Sequence, residues 1–307
     1  MNRVICTDAR HALPLLLAEG ERYGSIVMDL PGALNFMGEP WDMLTGPQLC
    51  DLTRDLFIAA TPGCGSGVWA GVWAHAKTSH WTAVGIEEAG WLVEHKVTWL
   101  NPEGRVREDG LSTGHEEWIL ARLPGPMQPL KIDLWREATT EGREPRDVLI
   151  GLGYGAAIDK LVGSRRSGAI SSVRAADKDR STYGAFGGTE TAKAAAASEG
   201  GASRYFPSWE KLMLLYAPRA RHSHRELAPG GARTTHRTAK SVAAMLPIVD
   251  LVSGTGGRVL DATCGSGSTL AAADALGLAC TGIEWMIDYA REAATRLGVE
   301  VEDWRRR

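Results

Sequence analysis

The residues best suited to chemistry lie near the end of the chain, where a carboxylate, a glycine-rich turn and a second carboxylate follow one another. Asp261 ends a short apolar run, Gly265 and Gly267 follow in the sequence Gly-Ser-Gly, and Glu284 ends the next apolar run. Glycines let the backbone pass close to a ligand, and a carboxylate at the end of a neighbouring strand can accept hydrogen bonds from both ribose hydroxyls. The spacing therefore predicts a nucleotide-binding turn between a strand and a helix.

Two other phosphate-binding loops do not fit this turn. A Walker A loop needs a lysine followed by serine or threonine, and residues 259–269 contain no lysine. A dinucleotide-binding fingerprint needs a third glycine and usually has no acid before the loop. The pattern alone leaves one alternative, a structural turn that binds nothing.

A second acid ends an apolar run near the start of the chain. Asp29 follows the run 25–28 and precedes Leu30, Pro31 and Gly32. Short apolar runs bounded by polar or turn residues indicate buried strands. By itself, Asp29 would be interpreted as a strand-end carboxylate that caps a turn.

The composition of the 307 residues is that of a globular protein, with 44% hydrophobic and 23% charged residues. No stretch reaches the roughly 18 uncharged apolar residues of a membrane span, so no membrane partner is expected. The five cysteines form no CxxC pair, which excludes a zinc ribbon, argues against a disulfide scaffold and favours a reducing cytoplasm. A net charge of −3 excludes a protein that binds nucleic acid by being basic throughout, but not one with a local basic patch.

Apolar runs alternate with helical patterns in residues 1–102 and 221–307, which is typical of an α/β fold with a parallel sheet. Residues 103–220 have poor periodicity and contain a Gly/Ala/Thr-rich stretch at 183–203, so we interpret them as a loop-rich insert. The predicted strands are 4–6, 25–28, 67–74, 92–100, 258–261 and 280–283, and the predicted helices are 49–60, 82–89, 242–251, 265–276 and 286–297.

Five segments together resemble one family. Residues 259–269 resemble motif I of S-adenosylmethionine-dependent methyltransferases, in the form Asp-Pro-Phe-x-Gly-Ser-Gly-Thr used by DNA amino-methyltransferases. Residues 28–42 resemble motif IV of phage and bacterial DNA methylases, which read Asp-Pro-Pro-Tyr-Gly-Leu-x-Phe-Met-Gly-x-x-Trp-Asp. Residues 236–241 are similar to the His-Pro-Thr-x-Lys-Pro before motif I, residues 7–9 to a Gly-Asp-Ala near the N terminus, and residues 115–116 weakly to a His-Glu segment. The catalytic motif comes first and the cofactor motif last, which is the permuted order of the β class.

The resemblance implies a Rossmann-like class I methyltransferase sandwich with a mostly parallel sheet. Residues 1–102 and 221–307 would form the catalytic domain, and residues 103–220 would take the place of a target-recognition region. The implied activity is transfer of a methyl group from S-adenosyl-L-methionine to an exocyclic amine of double-stranded DNA, adenine N6 first and cytosine N4 next. Such enzymes modify DNA in the bacterial or phage-infected cytoplasm or nucleoid, for example in restriction-modification. Relatives often pair, so a homodimer is an expectation.

The resemblance also assigns roles to residues. In the family, the motif IV carboxylate and the carbonyl that follows accept the protons of the target amine, which makes the amine nucleophilic, and an aromatic residue stacks on the flipped-out base. The catalytic set would be Asp29, Leu30, Pro31 and Gly32. The cofactor set would be Asp8, Thr238, Lys240, Asp261, Cys264, Gly265, Ser266, Gly267 and Glu284.

Motif IV departs from the family at two positions. Leu30 replaces a proline that stiffens the turn, and Gly32 replaces the stacking aromatic residue. Phe36, Trp41 or Trp69 could supply the missing platform. Two alternatives follow from the departure: a catalytically silent relative that acts as a decoy or regulator, and a transferase with a changed base or donor.

Basic residues cluster around the insert and suit contacts with DNA phosphates. The alternative is a solvated face balanced by nearby acids. His222 and His224 have no acid or cysteine partner close by, so no metal site is predicted. The arginines assigned to DNA are Arg165, Arg166, Arg219, Arg221 and Arg225.

Overall fold

The computed structural model describes residues 1–100, 115–131, 149–152, 165–167, 198–200, 213–216, 225–228, 231–254 and 256–307. The chain divides into two compact units, one of Met1–Gly151 with Met213–Arg307 and one of Leu152–Leu212. In the second unit the description covers a two-stranded antiparallel ribbon, in which Arg165–Ser167 pairs with Ser198–Gly200.

The described helices and strands have the following bounds. The strands are β1 (Arg3–Cys6), β2 (Tyr23–Asp29), β3 (Cys64–Ala74), β4 (Leu92–Leu100), β5 (His115–Arg122), β6 (Leu149–Leu152), β7 (Arg165–Ser167), β8 (Ser198–Gly200), β9 (Met213–Tyr216), β10 (Val259–Asp261), β11 (Cys280–Glu284) and β12 (Val301–Asp303). The α-helices are α1 (Ala9–Ala18), α2 (Gly46–Ala60), α3 (Ser79–Glu88), α4 (Val242–Val252), α5 (Ser268–Ala275) and α6 (Ile287–Leu297).

A single ten-stranded sheet organises the first unit, in the order β12-β1-β11-β10-β2-β3-β5-β4-β9-β6. The run from β12 to β3 is parallel throughout, and β5 lies antiparallel between β3 and β4. Because helices cover both faces of such sheets, the central strands are apolar on both sides, as the buried runs in the sequence indicate. The prediction of an α/β fold with a mostly parallel sheet is confirmed. None of the described helices is long and apolar enough to cross a bilayer.

The predicted helix starts differ from the observed ones for local reasons. Helix α2 begins at Gly46, three residues before the predicted start, because Thr45 and Gln48 form a capping box at its N terminus. Helix α5 begins at Ser268 instead of 265, because Gly265 and Gly267 have positive φ angles of 50° and 82° that a right-handed helix cannot contain.

The predicted insert, residues 103–220, is longer than the second compact unit. Strand β5, which begins at His115, lies inside the main sheet between β3 and β4, and β9 pairs with β4. The second compact unit begins only at Leu152 and ends at Leu212. The apolar run Trp118–Ala121 at the centre of β5 is the sequence signal for this strand, and the predicted domain boundary near residue 102 did not take it into account.

Candidate active site

Asp29 and the glycine turn meet at neighbouring strand ends. Strands β2 and β10 are adjacent and parallel, so the Asp29 end of β2 and the turn after β10 lie at the same edge of the sheet. The Thr263 hydroxyl donates to the main-chain carbonyl of Asp29 at 3.4 Å. Asp29, Gly265 and Glu284 line one cavity of about 650 Å³, a size typical of small-molecule sites.

The Glu284 carboxylate holds the glycine turn in place. One of its oxygens accepts from the Gly265 amide at 2.9 Å and the other from the Met286 amide at 2.8 Å. Burial raises the pKa of Glu284 to about 7. Each oxygen keeps a further lone pair, so the carboxylate can still accept hydrogen bonds from a ligand in the cavity.

Asp261 lies beneath the turn. Its Oδ1 atom accepts from the Thr263 amide at 3.0 Å, its side chain is buried, and it is not among the residues that line the cavity. Burial raises the pKa of Asp261 to about 7, and the nearby Asp29 and Glu284 carboxylates act in the same direction. The structure therefore gives this predicted cofactor residue a supporting position under the loop.

Close packing at the turn requires both glycines, and of the two only Gly265 lines the cavity. A Cβ atom at Gly267 would lie 2.9 Å from the Cα and Cβ atoms of Ala293, and one at Gly265 would lie 3.3 Å from Nε2 of His236. Cys264, between them and the strand, is buried, and burial raises the pKa of its thiol, so the sulfur is protonated and serves in packing.

The side chains that line the cavity beside the glycine turn suit an adenosyl group with a ribose. Asp8 and Glu284 bring carboxylates to it, and Trp285 and Tyr289 bring aromatic rings. Asp8 caps helix α1 by accepting from the Arg10 amide at 2.9 Å, which fixes its carboxylate at the rim. Ser266 and Thr238, both predicted in the cofactor set, line the same cavity.

His236, which the cofactor set omits although the motif resemblance includes it, lines the cavity next to Gly265. Its ring stacks on Trp41 with centroids 5.5 Å apart and packs against Tyr289 at 4.5 Å. Burial and the Lys240 charge lower the pKa of His236 to about 4, so the imidazole is neutral at pH 7. Arg225 donates to the His236 carbonyl at 2.7 Å.

The Lys240 ammonium forms an ion pair with Asp29. The Nζ atom lies 3.0 Å from Oδ1 and 2.9 Å from Oδ2, and the two side chains are 9% and 26% exposed. The same ammonium lies 3.9 Å from the centre of the Trp73 ring and 5.8 Å from that of Trp99. Burial raises the pKa of Asp29, and the lysine opposes that shift. The sequence assigns Lys240 to the cofactor, whereas in the structure its ammonium pairs with the Asp29 carboxylate.

The Lys240 backbone is tied to the cofactor turn. The Ser268 hydroxyl, at the first residue of α5, donates to the Lys240 carbonyl at 2.7 Å. One residue after Lys240, Ser241 caps helix α4 by accepting from the Ala244 amide. A short segment therefore joins the glycine turn to the Asp29 ion pair.

The segment after Asp29, residues 30–42, forms a loop that we name the motif IV loop. The Leu30 side chain is buried, and the Gly32 carbonyl accepts from the Thr78 hydroxyl at 2.8 Å. Buried Asp42 accepts from the amides of Leu34 at 3.1 Å and Phe36 at 2.8 Å. This carboxylate, absent from the predicted site, organises the loop.

The motif IV loop contains three non-glycine residues with left-handed backbone, Ala33, Asn35 and Met37. Each such residue costs of order 1 kcal/mol or more, so the loop persists because its surroundings hold it. Arg237 contributes by pairing with Glu39 at 2.9 Å. The predicted residues Pro31, Phe36 and Trp41 all line the cavity from this loop.

Trp69 is not available as a stacking platform. It is 1% exposed, and its indole nitrogen donates to the Gln128 carbonyl at 2.7 Å. Trp73 and Trp99 line the cavity instead, together with Glu116. Their position near the ends of the predicted strands 67–74 and 92–100 is the sequence signal that could have separated Trp73 and Trp99 from core tryptophans.

The predicted DNA-binding arginines are only partly described. Arg225 lines the cavity and supports His236, and Arg165 and Arg166 lie in β7 of the second unit, their side chains not described. Arg219 and Arg221 lie outside the described residues. Among the residues that the structure describes, no group of histidine, cysteine, aspartate and glutamate could hold a metal ion.

Comparisons with known proteins agree with this geometry. Residues 66–295, three quarters of the chain, match the N6/N4 methyltransferase family model described as DNA methylase. The solved structure of M1.HpyAVI with S-adenosylmethionine is 16% identical, with a TM-score of 0.54 over 97% of this chain and 100% of that one.

Two further solved structures share the fold. TTHA0409 from Thermus thermophilus, complexed with S-adenosyl-L-methionine, is 16% identical with a TM-score of 0.51 over 99% of both chains. The cytosine-N4-specific PvuII DNA methyltransferase is 11% identical with a TM-score of 0.54 over 98% of this chain and 94% of that one. No curated protein sequence matches the chain significantly. The chain belongs to the DNA methylase family of N6-adenine and N4-cytosine amino-methyltransferases, whose methyl donor is S-adenosylmethionine.

Proposed function

We propose that this chain is an active methyltransferase that modifies the N6 amine of adenine in double-stranded DNA. The observation that carries the proposal is the shared cavity, which is lined by Asp29 and by Gly265 and Ser266 of the glycine turn. A methyl donor held by the turn and an amine held by Asp29 would then face each other.

The donor supplies a methyl carbon made electrophilic by its sulfonium. The amine nitrogen would form a bond to that carbon while the carbon–sulfur bond breaks. The bonding electron pair would leave on the sulfur as a neutral thioether, and one amine proton would pass to the Asp29 carboxylate or to solvent. An aryl amine is a poor nucleophile because its lone pair is delocalised into the ring. Hydrogen bonds from the amine to the Asp29 carboxylate and the Leu30 carbonyl favour the tetrahedral nitrogen and take up the positive charge that develops.

Lys240 affects both the charge and the availability of Asp29. The ammonium stabilises the ionised carboxylate in a buried place, where desolvation alone would favour its protonation. It also occupies both carboxylate oxygens at 2.9–3.0 Å. Each oxygen keeps a further lone pair, so the amine can bind Asp29 beside the ammonium, or take its place when the flexible lysine side chain moves away.

The volume of the cavity supports the choice of adenine over cytosine. Gly32 places no side chain at the position where the family has an aromatic ring, and the cavity measures about 650 Å³. A cavity of this volume has room for the two fused rings of a purine beside the donor, and cytosine N4 is the second choice.

One observation favours a second function, a catalytically silent relative that binds cofactor or DNA. Both oxygens of the carboxylate that the reaction needs pair with Lys240, and the usual stacking ring of motif IV is absent. In such a protein the cofactor turn would be intact and the base site closed.

The experiment is mass spectrometry of nucleosides from unmethylated DNA of high sequence complexity, treated with the protein and S-adenosylmethionine. We expect N6-methyladenine with the unaltered chain and none with Asp29→Ala, while calorimetry shows cofactor affinity unchanged. Asp51→Ala, on the exposed face of α2, is the matched control and should modify DNA fully. N4-methylcytosine would overturn the choice of base, and cofactor binding without any modified base would support the silent relative.

The expected homodimer stays a prediction. Sedimentation equilibrium of the protein with and without DNA measures it directly, and a monomer in both states would show it to be wrong.

A further inference from the structure

The motif IV loop offers no ring for a base to stack on at Gly32. A Cβ atom there would lie 3.3 Å from the Leu34 side chain and 3.6 Å from Oδ1 of Asp42, so the adjoining space is already bordered by the loop itself. A flipped-out base loses about 1–3 kcal/mol of stacking when no aromatic partner is present. A base beside Asp29 then stacks on a ring from another position, and Trp41 of the same loop is already stacked on His236 with centroids 5.5 Å apart.

The strand register brings two tryptophans and a glutamate to the same place as Asp29. Asp29 on β2 is paired with Trp73 on β3, and Trp99 on β4 is paired with Glu116 on β5. Paired residues on adjacent strands direct their side chains to the same face. All four residues line the cavity, and Nε1 of Trp73 donates to Glu116 at 2.8 Å. The indole of Trp73 is thus fixed in orientation beside the catalytic carboxylate.

The position of the Lys240 ammonium shows what this place can bind. Its Nζ atom is within 3.0 Å of both Asp29 oxygens and 3.9 Å from the centre of the Trp73 ring. A nitrogen donor is therefore accommodated between a carboxylate and an aromatic face. An exocyclic amine on a stacked base presents the same features, a nitrogen with hydrogens to donate and a planar ring beside it.

We propose that the target base stacks on the indole of Trp73, with its exocyclic amine in the place that the Lys240 ammonium occupies at Asp29. Glu116 is a positioning residue that fixes the indole through its Nε1 hydrogen, and Trp99 borders the subsite. This inference rests on the proposed function, because it assigns the base subsite of that reaction. The aromatic platform has moved from motif IV to the adjacent strand β3.

The experiment combines methylation kinetics with nucleoside binding. Trp73→Leu removes the ring, Trp73→Phe keeps a ring without the indole nitrogen, and Glu116→Leu removes the anchor. The controls are Glu117→Gln, the next residue on β5, whose carboxylate pairs with Lys96 at 2.7 Å, and Trp81→Phe on α3, away from the cavity. Thermal melting and S-adenosylmethionine affinity identify variants that are misfolded or have lost the cofactor.

For methylation of DNA we expect Trp73→Leu to lower kcat/KM by roughly ten- to a hundredfold, with cofactor affinity within twofold of the original. Trp73→Phe should retain most activity, Glu116→Leu should fall between, and both controls should match the unaltered chain. Trp73→Leu and Glu116→Leu with unaltered kcat/KM would overturn the base subsite and leave the proposed function standing. If Trp73→Leu does not fold, the kcat/KM values of Glu116→Leu and Trp73→Phe test the base subsite, and an unaltered value for Glu116→Leu would overturn it.

Nucleoside binding separates the two failures. Adenosine and cytidine are titrated, by ligand-observed NMR, into protein saturated with S-adenosylhomocysteine so that the cofactor site is blocked. If the unaltered chain methylates no DNA, the proposed function fails, and binding of adenosine that is lost in Trp73→Leu still supports the subsite. Equal binding by both proteins, or none by either, would overturn it.

Discussion

Removing the charge of Lys240 should lower the free energy of unfolding, chiefly because Asp29 loses its counter-ion. A double-mutant cycle measures the interaction energy of this ion pair separately. Lys240→Met leaves a carboxylate without its counter-ion, Asp29→Asn leaves an ammonium without its carboxylate, and the double variant leaves neither charge. Breaking a buried pair costs about 3–5 kcal/mol, whereas an exposed pair is worth about 1 kcal/mol or less.

The structure places this pair between those limits. The lysine side chain is 9% exposed and the aspartate 26%, because Asp29 faces the cavity. We expect each single variant to lower the free energy of unfolding by about 2–3 kcal/mol. The double variant should lose about the same as one single variant, which corresponds to a coupling energy of about 2 kcal/mol.

The assay is urea unfolding at pH 7.5, followed by tryptophan fluorescence, of the original chain and the three variants. The Arg54–Asp51 pair on α2 provides a matched cycle, since its side chains are 32% and 58% exposed and its coupling should stay below about 0.5 kcal/mol. Losses at Asp29 and Lys240 that add to within about 0.5 kcal/mol would refute the reasoning, because independent residues add in that way.

Three further outcomes are expected. S-adenosylmethionine affinity should fall as the pH drops below about 7, because protonation of Glu284 removes an acceptor for the ribose hydroxyls, and calorimetry of Glu284→Gln should show this pH dependence abolished. The same raised pKa means that the Glu284 contribution to stability decreases as the pH rises from 4.5 to about 7, because the unfolded chain releases the proton at a lower pH than the folded chain. The melting temperature of Glu284→Gln should therefore decrease less across this pH range than that of the original chain. Asp42→Ala should lower the free energy of unfolding by about 2 kcal/mol and expose residues 33–41 to limited proteolysis, while Asp42→Asn, which keeps an acceptor oxygen, should lose less than half of that.

Strand ends and turns could be predicted from the sequence because their signals are local. Apolar runs ending at Asp29, Asp261 and Glu284 mark strands, and the two glycines mark a turn that only they can form without strain. Parallel strands bring their carboxyl ends to one edge, so the cavity between Asp29 and the glycine turn follows from these signals.

Side-chain partners could not be predicted, because they depend on register between distant segments. Lys240 lies 211 residues from Asp29 in sequence, and the pair forms because the segment before α4 crosses the end of β2. Trp73 and Glu116 meet only because β5 enters the sheet antiparallel beside β3. The sequence pattern also underestimates the main sheet, since it places β5 in the insert.

The hydrogen bond from Ser268 to the Lys240 carbonyl connects the glycine turn of the proposed donor site with the Asp29 ion pair of the proposed base site. It links the first residue of α5, the helix after the glycine turn, to the lysine whose ammonium pairs with Asp29. If binding of the base moves Lys240 and thereby changes the affinity for the donor, the donor must change the affinity for the base by the same factor, because linkage between two equilibria is reciprocal.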